Sequence, residues 1–129
     1  MDWSIDSARP IWIQLSEQLT RRIVSGQYPM GARLPSVREL AEEAGVNPNT
    51  MQRALAHLED QGLAVGKGTQ GRSVTEDEEK IRAVRLELAR ESRARYVSDL
   101  KALGVTPEEA AKLFESRKET NHGRDVDCL

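Results

Sequence analysis

Residues 47–53 bring several hydrogen-bonding side chains together at helical spacing. Apolar residues recur here at the spacing of one side of a helix: Met51, Ala54, Leu55 and Leu58. The opposite side then carries amide, hydroxyl and guanidinium groups: Asn47, Asn49, Thr50, Gln52 and Arg53. Amides and guanidinium groups can pair with base edges in the major groove or with phosphates. We interpret this side as a candidate DNA-reading face; the alternative is an ordinary solvated helix face.

Signals at both ends define the helix that must position these groups. Asn47 is a favourable N-cap, Pro48 suits the first helical position, and Gly62 ends the apolar pattern. A shorter helix precedes it, with Ser36 and Glu39 spaced as a capping box and Gly45 as a terminator. Its apolar residues also have helical spacing: Val37, Leu40, Ala41 and Ala44. Two short helices joined by a glycine-containing turn predict a helix-turn-helix.

An earlier amphipathic helix is predicted to support this pair. It begins near Ile11, ends at Gly26, and has an apolar residue at every fourth position: Ile11, Leu15, Leu19 and Ile23. The polar residues between them are assigned to its outer side, among them Glu17, Gln18, Arg21 and Arg22. The next segment, with Pro29, Gly31 and Pro35, is predicted to form turns.

Two further groups of residues are candidates for contacts with the DNA backbone. Arg38, with Ser36 beside it, lies at the start of the second helix, where free backbone amides also favour a phosphate. The alternative for Arg38 is a surface pair with Glu42, four residues on. Residues 63–65 and 72–74 predict a β-hairpin with a glycine-rich tip at 66–71. Its candidate contacts are Lys67, Gly68, Thr69, Gln70 and Arg72, the last for the minor groove; the alternative is a solvated hairpin.

These motifs resemble the DNA-binding domain of the GntR family of transcription regulators over residues 5–75. The resemblance rests on the loop G-x-x-L-P-S-V-R-E-L-A at 31–41, the turn G-V-N-P-N-T at 45–50 and the terminator Gly62. It implies operator contacts by Arg38, by the start of the recognition helix at 47–50 and by the wing tip. The chain departs from the family pattern at Gln52, where a basic residue is frequent, and in the wing. These departures predict a weaker salt-dependent attraction to DNA than a typical member shows.

The remainder of the chain predicts a helical dimerisation region at 76–120 and a flexible tail at 121–129. Thr75 and Glu78 are spaced as a capping box for a polar helix that runs to Leu103 and is ended by Gly104. A second cap at 106–109 predicts the start of a last helix. The long helix carries an apolar stripe for a second chain to cover: Ile81, Val84, Leu88, Tyr96, Leu100 and Leu103. Leu113 and Phe114 mark the apolar side of the last helix and are assigned to the same dimer interface. The alternative is that the last helix covers the stripe within the monomer. The short C-terminal part is similar to that of the YtrA subfamily, which implies dimerisation.

Composition excludes several other classes of protein. The chain has 129 residues, a net charge of −2 and one cysteine, Cys128, interpreted as a free thiol near the end. No apolar run approaches the roughly 20 residues that a membrane helix needs, and no secretory signal is recognisable, so a cytoplasmic location and no membrane partner are expected. Its two histidines, His57 and His122, are too few for a metal cluster or a catalytic triad, and His57 is interpreted as a helix-surface residue. No cofactor, metal or enzymatic activity is expected.

The predicted fold is mainly α with a small β-hairpin wing: a winged helix-turn-helix at 1–75 followed by a C-terminal helical hairpin. The predicted function is sequence-specific DNA binding by a homodimeric regulator at a near-palindromic operator. Repression is expected, because it is the commoner mode of regulation in the family that the chain resembles. Two alternatives stay open. One is a winged-helix module that binds protein, which the near-neutral charge favours; the other is a regulator whose C-terminal helices hold an unknown small-molecule effector.

Overall fold

The computed structural model describes residues 3–120, and the predicted tail at 121–129 and Cys128 lie outside this range. The described chain forms five α-helices and one two-stranded antiparallel sheet, with a single 3-10 turn between the strands. The elements are α1 Ile11–Val24, α2 Val37–Ala44, α3 Pro48–Asp60, β1 Ala64–Gly66, β2 Arg72–Val74, α4 Glu78–Ala102 and α5 Pro107–Thr120. This architecture confirms the predicted fold class, a mainly α protein with a hairpin wing and C-terminal helices.

The chain divides into two compact units, the first ending at Glu87 and the second beginning at Leu88. In the first unit, α3 packs against both α1 and α2. Its core consists largely of aliphatic side chains that are at most 3% exposed: Leu15, Leu19, Ile23, Leu34, Leu40, Met51, Leu55, Leu58 and Leu63. The apolar spacing of three helices therefore predicted most of the core that holds α3 in place.

Ile11 is an exception, because it is 42% exposed although the four-residue pattern assigned it to the buried stripe of α1. The reason is geometric. A helix turns every 3.6 residues, so each four-residue step rotates about 40° further around the axis. Ile11 is three such steps from Ile23, and residues so far apart around the helix do not both face one core.

The caps of the helix-turn-helix form as predicted. The Glu39 N–H donates to Ser36 Oγ at 3.1 Å, and the Ser36 N–H donates to Glu39 Oε1 at 2.9 Å. Gly45 ends α2 in the left-handed region with φ +71°, where a residue with a Cβ would be strained. The Asn49 N–H then donates to Asn47 Oδ1 at 2.7 Å, which caps α3. These local bonds fix where α3 begins and thus which side chains stand at its exposed end.

The wing includes a third segment that the sequence did not predict. The pairing of β1 with β2 brings Ala64 opposite Val74 and Gly66 opposite Arg72. On the other edge of β2, the Leu34 N–H donates to the Arg72 carbonyl and the Val74 N–H donates to the Ala32 carbonyl, both at 2.8 Å. Residues 31–34, predicted only as turns, therefore brace the wing. Because this pairing uses backbone groups alone, residues 31–34 do not show the alternation of apolar and polar side chains from which a strand could have been predicted.

The cap of α4 differs from the predicted Thr75–Glu78 box. Thr75 is buried and extends the hairpin, its N–H donating to the Leu63 carbonyl at 2.9 Å. Asp77 takes the capping position instead, since its Oδ1 accepts from the Lys80 N–H at 3.2 Å. The cap of α5 forms as predicted: the Glu109 N–H donates to Thr106 Oγ1, and Glu109 Oε1 accepts from the Thr106 N–H.

An extended segment ahead of α1 is docked along that helix by two glutamines. Gln18 exchanges hydrogen bonds with the backbone of Ser4, and Gln14 does the same with Asp6. Arg9 closes the segment through a two-pronged bond to the Glu17 carboxylate, with both distances 2.9 Å. That hydrogen bond lowers the pKa of Glu17. Both side chains are half exposed, so the pair adds little stability.

Arg22 is buried at 1% exposure, although the sequence assigned it to the outer side of α1. Its Nη1 donates to Tyr28 Oη at 2.7 Å and lies 3.5 Å from Glu43 Oε2, and its guanidinium carbon is 4.1 Å from the centre of the Trp3 ring. The N-terminal segment thus provides the aromatic ring and the following loop provides the hydroxyl that cover this charge. Neither partner is visible in the periodicity of α1, which is why the prediction was wrong.

We expect Arg22→Ala to lower the free energy of unfolding by about 2–3 kcal/mol, because the variant loses a buried hydrogen bond and the packing of a large side chain. Urea denaturation of the full chain measures this change. The matched control is Arg21→Ala, an exposed neighbour on the same helix, which should change stability by less than about 0.5 kcal/mol. Equal effects of the two variants would contradict the structural role of Arg22.

Candidate nucleic-acid interface

The first turns of α3 present the predicted polar side chains to solvent while the opposite side is buried. Met51, Ala54 and Leu55 are at most 1% exposed and anchor the helix. Thr50 is half-buried, and the other predicted residues are exposed: Asn47, Pro48, Asn49, Gln52 and Arg53. The structure therefore brings the whole predicted set to one end and one side of a single anchored helix, which is the form that enters a major groove.

Arg53 is held by a residue that sequence reasoning missed. Its guanidinium carbon lies over the ring of Trp12, 4.3 Å from the ring centre. His57, one turn further along α3, meets the same ring edge-on, with 5.4 Å between centres. His57, interpreted as a helix-surface residue, is half-buried, so it lies at the surface with one side against this ring. The spacing of Arg53 and His57 could be seen in the sequence, but their shared contact with Trp12 on α1 could not.

Ser36 and Arg38 lie at the start of α2 with capacity for an anion. The Ser36 oxygen accepts the capping bond, which leaves its hydroxyl proton to donate elsewhere. Arg38 is exposed, and the ion pairs among the described residues do not include one between Arg38 and Glu42. The alternative interpretation of Arg38, a surface pair on α2, is thus not what the structure contains.

The tip of the wing is exposed at Lys67, Gly68, Thr69 and Gln70, where a 3-10 turn spans Gly68–Gln70. Arg72 lies at the base instead, with its side chain 17% exposed and its Nε 3.4 Å from Glu59 Oε1 at the end of α3. Gly66 lies beside this pair, since a Cβ there would come within 2.8 Å of the other Glu59 oxygen and the carboxylate would have to shift. The structure thus places Arg72 against a carboxylate that the sequence analysis did not consider.

Arg33 is a further exposed cation beside the wing that sequence reasoning missed. It bridges to Ser73 through the backbone, and its guanidinium lies 3.8–3.9 Å from the position of a Cβ on Gly71. The unpredicted third segment of the wing places it there. The exposed positive groups around the wing are therefore Lys67 and Arg33, while the charge of Arg72 is partly neutralised by Glu59.

The predicted dimer residues divide into two groups. In the first unit Ile81 is 6% exposed and Val84 is half-buried, so much of their apolar surface is already covered by the protomer. In the second unit Leu88 and Leu100 are half-buried, and four others are substantially exposed: Tyr96 at 48%, Leu103 at 76%, Leu113 at 54% and Phe114 at 76%. Leu86 and Val97, which the prediction did not include, are also exposed on α4.

Among the residues whose side chains the structure describes, no group of three or more histidine, cysteine, aspartate or glutamate side chains is placed to hold a metal ion. No helix in the described part of the chain is both long enough and apolar enough to cross a membrane.

Comparison with known proteins identifies the family. Residues 13–74 match the model of bacterial regulatory proteins, gntR family. The chain is 37% identical over 109 residues to the HTH-type transcriptional regulator YhcF of Bacillus subtilis, and the aligned region covers 84% of this chain and 90% of that protein. It is 39% identical over 66 residues to the transcriptional repressor YtrA of the same organism, covering 49% of this chain and 51% of YtrA.

Solved structures show the same relationship. A GntR family transcriptional regulator from Listeria monocytogenes superimposes with a TM-score of 0.78 at 32% identity, over 87% of this chain and 98% of that one. AraR(DBD) in complex with operator ORE1 superimposes with a TM-score of 0.51 at 25% identity, over 58% of this chain and 94% of that one. The predicted resemblance is thereby confirmed: the chain belongs to the GntR family of bacterial regulatory proteins and is a DNA-binding transcriptional regulator.

Proposed function

We propose that this regulator is a homodimeric repressor that binds a near-palindromic operator in the cytoplasm, the compartment that holds bacterial DNA. The observation that carries the proposal is the exposed polar end of α3, anchored by buried Met51 and Leu55 and lying in the same unit as exposed Arg38. The solved complex of AraR(DBD) with its operator, a structural neighbour of this part of the chain, supports a DNA-binding role for it.

In the proposed complex α3 lies in the major groove. Asn49, Gln52 and Arg53 face base edges, because amides pair well with adenine and guanidinium groups with guanine. Asn47, Pro48 and Thr50 lie at the start of the helix, where it comes closest to the DNA, and they contact the DNA backbone. Ser36 and Arg38 hold a phosphate at the start of α2.

The wing completes the proposed contact from the side. Lys67 and the backbone of the tip at Gly68, Thr69 and Gln70 lie along the sugar-phosphate chain. Arg72 would have to leave Glu59 to reach the minor groove, so we propose that its first role is to fix the base of the wing. Since Lys67 is exposed and not part of that pair, it is the main charged contact of the hairpin.

Dimerisation is proposed through residues 76–120, with the exposed apolar side chains of the second unit at its centre. Tyr96, Leu103 and Phe114 are each about half exposed or more within one protomer, and a second copy would remove them from water. A two-fold pair of recognition helices one DNA turn apart requires an operator with two related half-sites. The repressor role is supported by the similarity to YtrA, a named repressor.

The test begins with selection of a duplex from a random DNA library by the wild-type protein, because the operator is unknown. Binding to the selected duplex is then measured by mobility shift at about 50 mM and about 200 mM salt. We expect affinity to fall steeply with salt, and Arg38→Ala to reduce the log–log salt slope by about 0.9 for each phosphate contact removed.

The matched control is Arg93→Ala, which removes the same charge from an exposed position in the second unit. It should leave the slope unchanged. Failure to select any duplex, or an affinity that does not respond to salt, would overturn the DNA-binding role of this face and favour the alternative of a protein-binding module.

A further inference from the structure

Trp12 and Arg53 form a contact between α1 and α3 at the edge of the proposed interface. Arg53 is exposed, yet its guanidinium carbon lies 4.3 Å from the centre of the Trp12 ring, within the range of a cation–π interaction. His57 contacts the same ring edge-on from the next turn of α3. The Trp12 indole therefore packs against His57 and also contacts Arg53, whose side chain is exposed to solvent.

The chemistry of the guanidinium gives this contact a consequence for recognition. An arginine that stacks on a ring uses its flat face, and its N–H donors remain available around the edge of the plane. Those donors are the groups that pair with the O6 and N7 atoms of guanine. A free arginine side chain must give up its rotational freedom to make such a pair, whereas one that is already held by a ring loses less.

We propose that Trp12 is a positioning residue for recognition: it orients Arg53 in the free protein so that the guanidinium reads one base pair in each half-site. The inference rests on the proposed placement of α3 in the major groove. It adds a residue outside the helix-turn-helix and the wing, and it assigns to α1 a role in specificity beyond support of the core.

A packing role alone would make a different prediction. If Trp12 only packs against His57, phenylalanine should again serve better than leucine, because only an aromatic ring keeps the edge-on contact, but neither substitution should change discrimination between base pairs. If the π-face holds Arg53, phenylalanine should retain discrimination at the base pair that Arg53 reads and leucine should lose it, because only the aromatic ring attracts the cation. Base discrimination by Trp12→Phe and Trp12→Leu therefore separates the two roles.

The experiment measures binding of both variants to the duplex selected by the wild-type protein and to a set of duplexes that each carry one base-pair change. We expect Trp12→Leu to bind the selected duplex about tenfold more weakly as a dimer, with Trp12→Phe close to wild type. Trp12→Leu should also lose discrimination at one position of each half-site, the position at which Arg53→Ala loses it. Thermal melting of each variant checks that the fold is retained.

A double-mutant cycle gives the decisive comparison. In an Arg53→Ala background, Trp12→Leu should cause no further loss of affinity, because the residue that it orients is gone. An undiminished loss in that background, or equal behaviour of the leucine and phenylalanine variants, would overturn the inference while the proposed function stands. If the wild-type protein itself selects no duplex, the proposed function fails and the inference fails with it.

Discussion

Arg53→Ala is expected to weaken binding to the selected operator by roughly 30-fold or more while leaving the fold intact. A bidentate contact between an arginine and a base is worth about 1–3 kcal/mol of discrimination, and a two-fold dimer makes that contact twice. The loss in the dimer is therefore about 2–6 kcal/mol, or roughly 30-fold to 10⁴-fold in affinity. Because the Arg53 side chain is exposed, its removal leaves no buried cavity. Mobility shift on the selected duplex and on an unrelated duplex measures both specific and non-specific binding.

The matched control for this prediction is Arg33→Ala, which removes the same charge from an exposed position beside the wing. We expect it to weaken both duplexes by a similar factor, since a backbone contact does not distinguish sequences. Arg53→Ala should instead bring the two affinities together. An Arg53→Ala protein that keeps its preference for the selected duplex would show that Arg53 does not read bases.

The double variant Leu103→Asp, Phe114→Asp, which places two charges on the proposed dimer interface, is expected to abolish dimerisation and weaken operator binding. Both side chains are 76% exposed within the protomer, so the substitutions should leave the protomer folded. In a dimer they would bury two carboxylates from each copy against apolar surface, which is too costly to persist. We expect a monomer by sedimentation equilibrium and a loss of operator affinity of about a hundredfold, because two linked DNA-binding units gain at least that factor over one.

The control is Ser98→Asp, which adds a carboxylate at an exposed polar position of α4. This variant should remain a dimer and bind as the wild type does. A double variant that stays dimeric would place the interface elsewhere on the chain. A monomeric variant with full affinity would contradict the proposal that two recognition helices bind together.

The parts of the fold that depend on neighbouring residues could be predicted from the sequence. The cap at Ser36, the terminator Gly45 and the cap at Asn47 involve groups no more than a few residues apart, and they set the ends of α2 and α3. The apolar spacing then identified the buried side of α3 and, by exclusion, its exposed polar side. This is why the polar side chains at 47–53 could be predicted to lie on the exposed side of α3.

The exposure of Ile11 and the cap at Asp77 are local departures from the predicted pattern, whereas the other features that were missed depend on partners outside that pattern. Arg22 is buried because Trp3 and Tyr28 cover it, and Arg72 pairs with Glu59 across the wing. Residues 31–34 join the sheet through backbone bonds alone. A charged side chain in an amphipathic pattern is ordinarily assigned to solvent. Only the three-dimensional arrangement reveals which cations have been taken up by the protein and which remain available to DNA.

The chain contains two tryptophans, and each lies under an arginine guanidinium, Trp3 under Arg22 and Trp12 under Arg53. The first pair belongs to the docked N-terminal segment and the second to the edge of the DNA face. Indole emission responds to nearby charge and to water, so the intrinsic fluorescence of this protein contains two separate signals. In a Trp12→Phe protein the remaining emission reports the docking of the N-terminal segment, and in a Trp3→Phe protein it reports the engagement of Arg53. The regulator thus carries its own optical probes of folding and of DNA binding, and no dye need be attached.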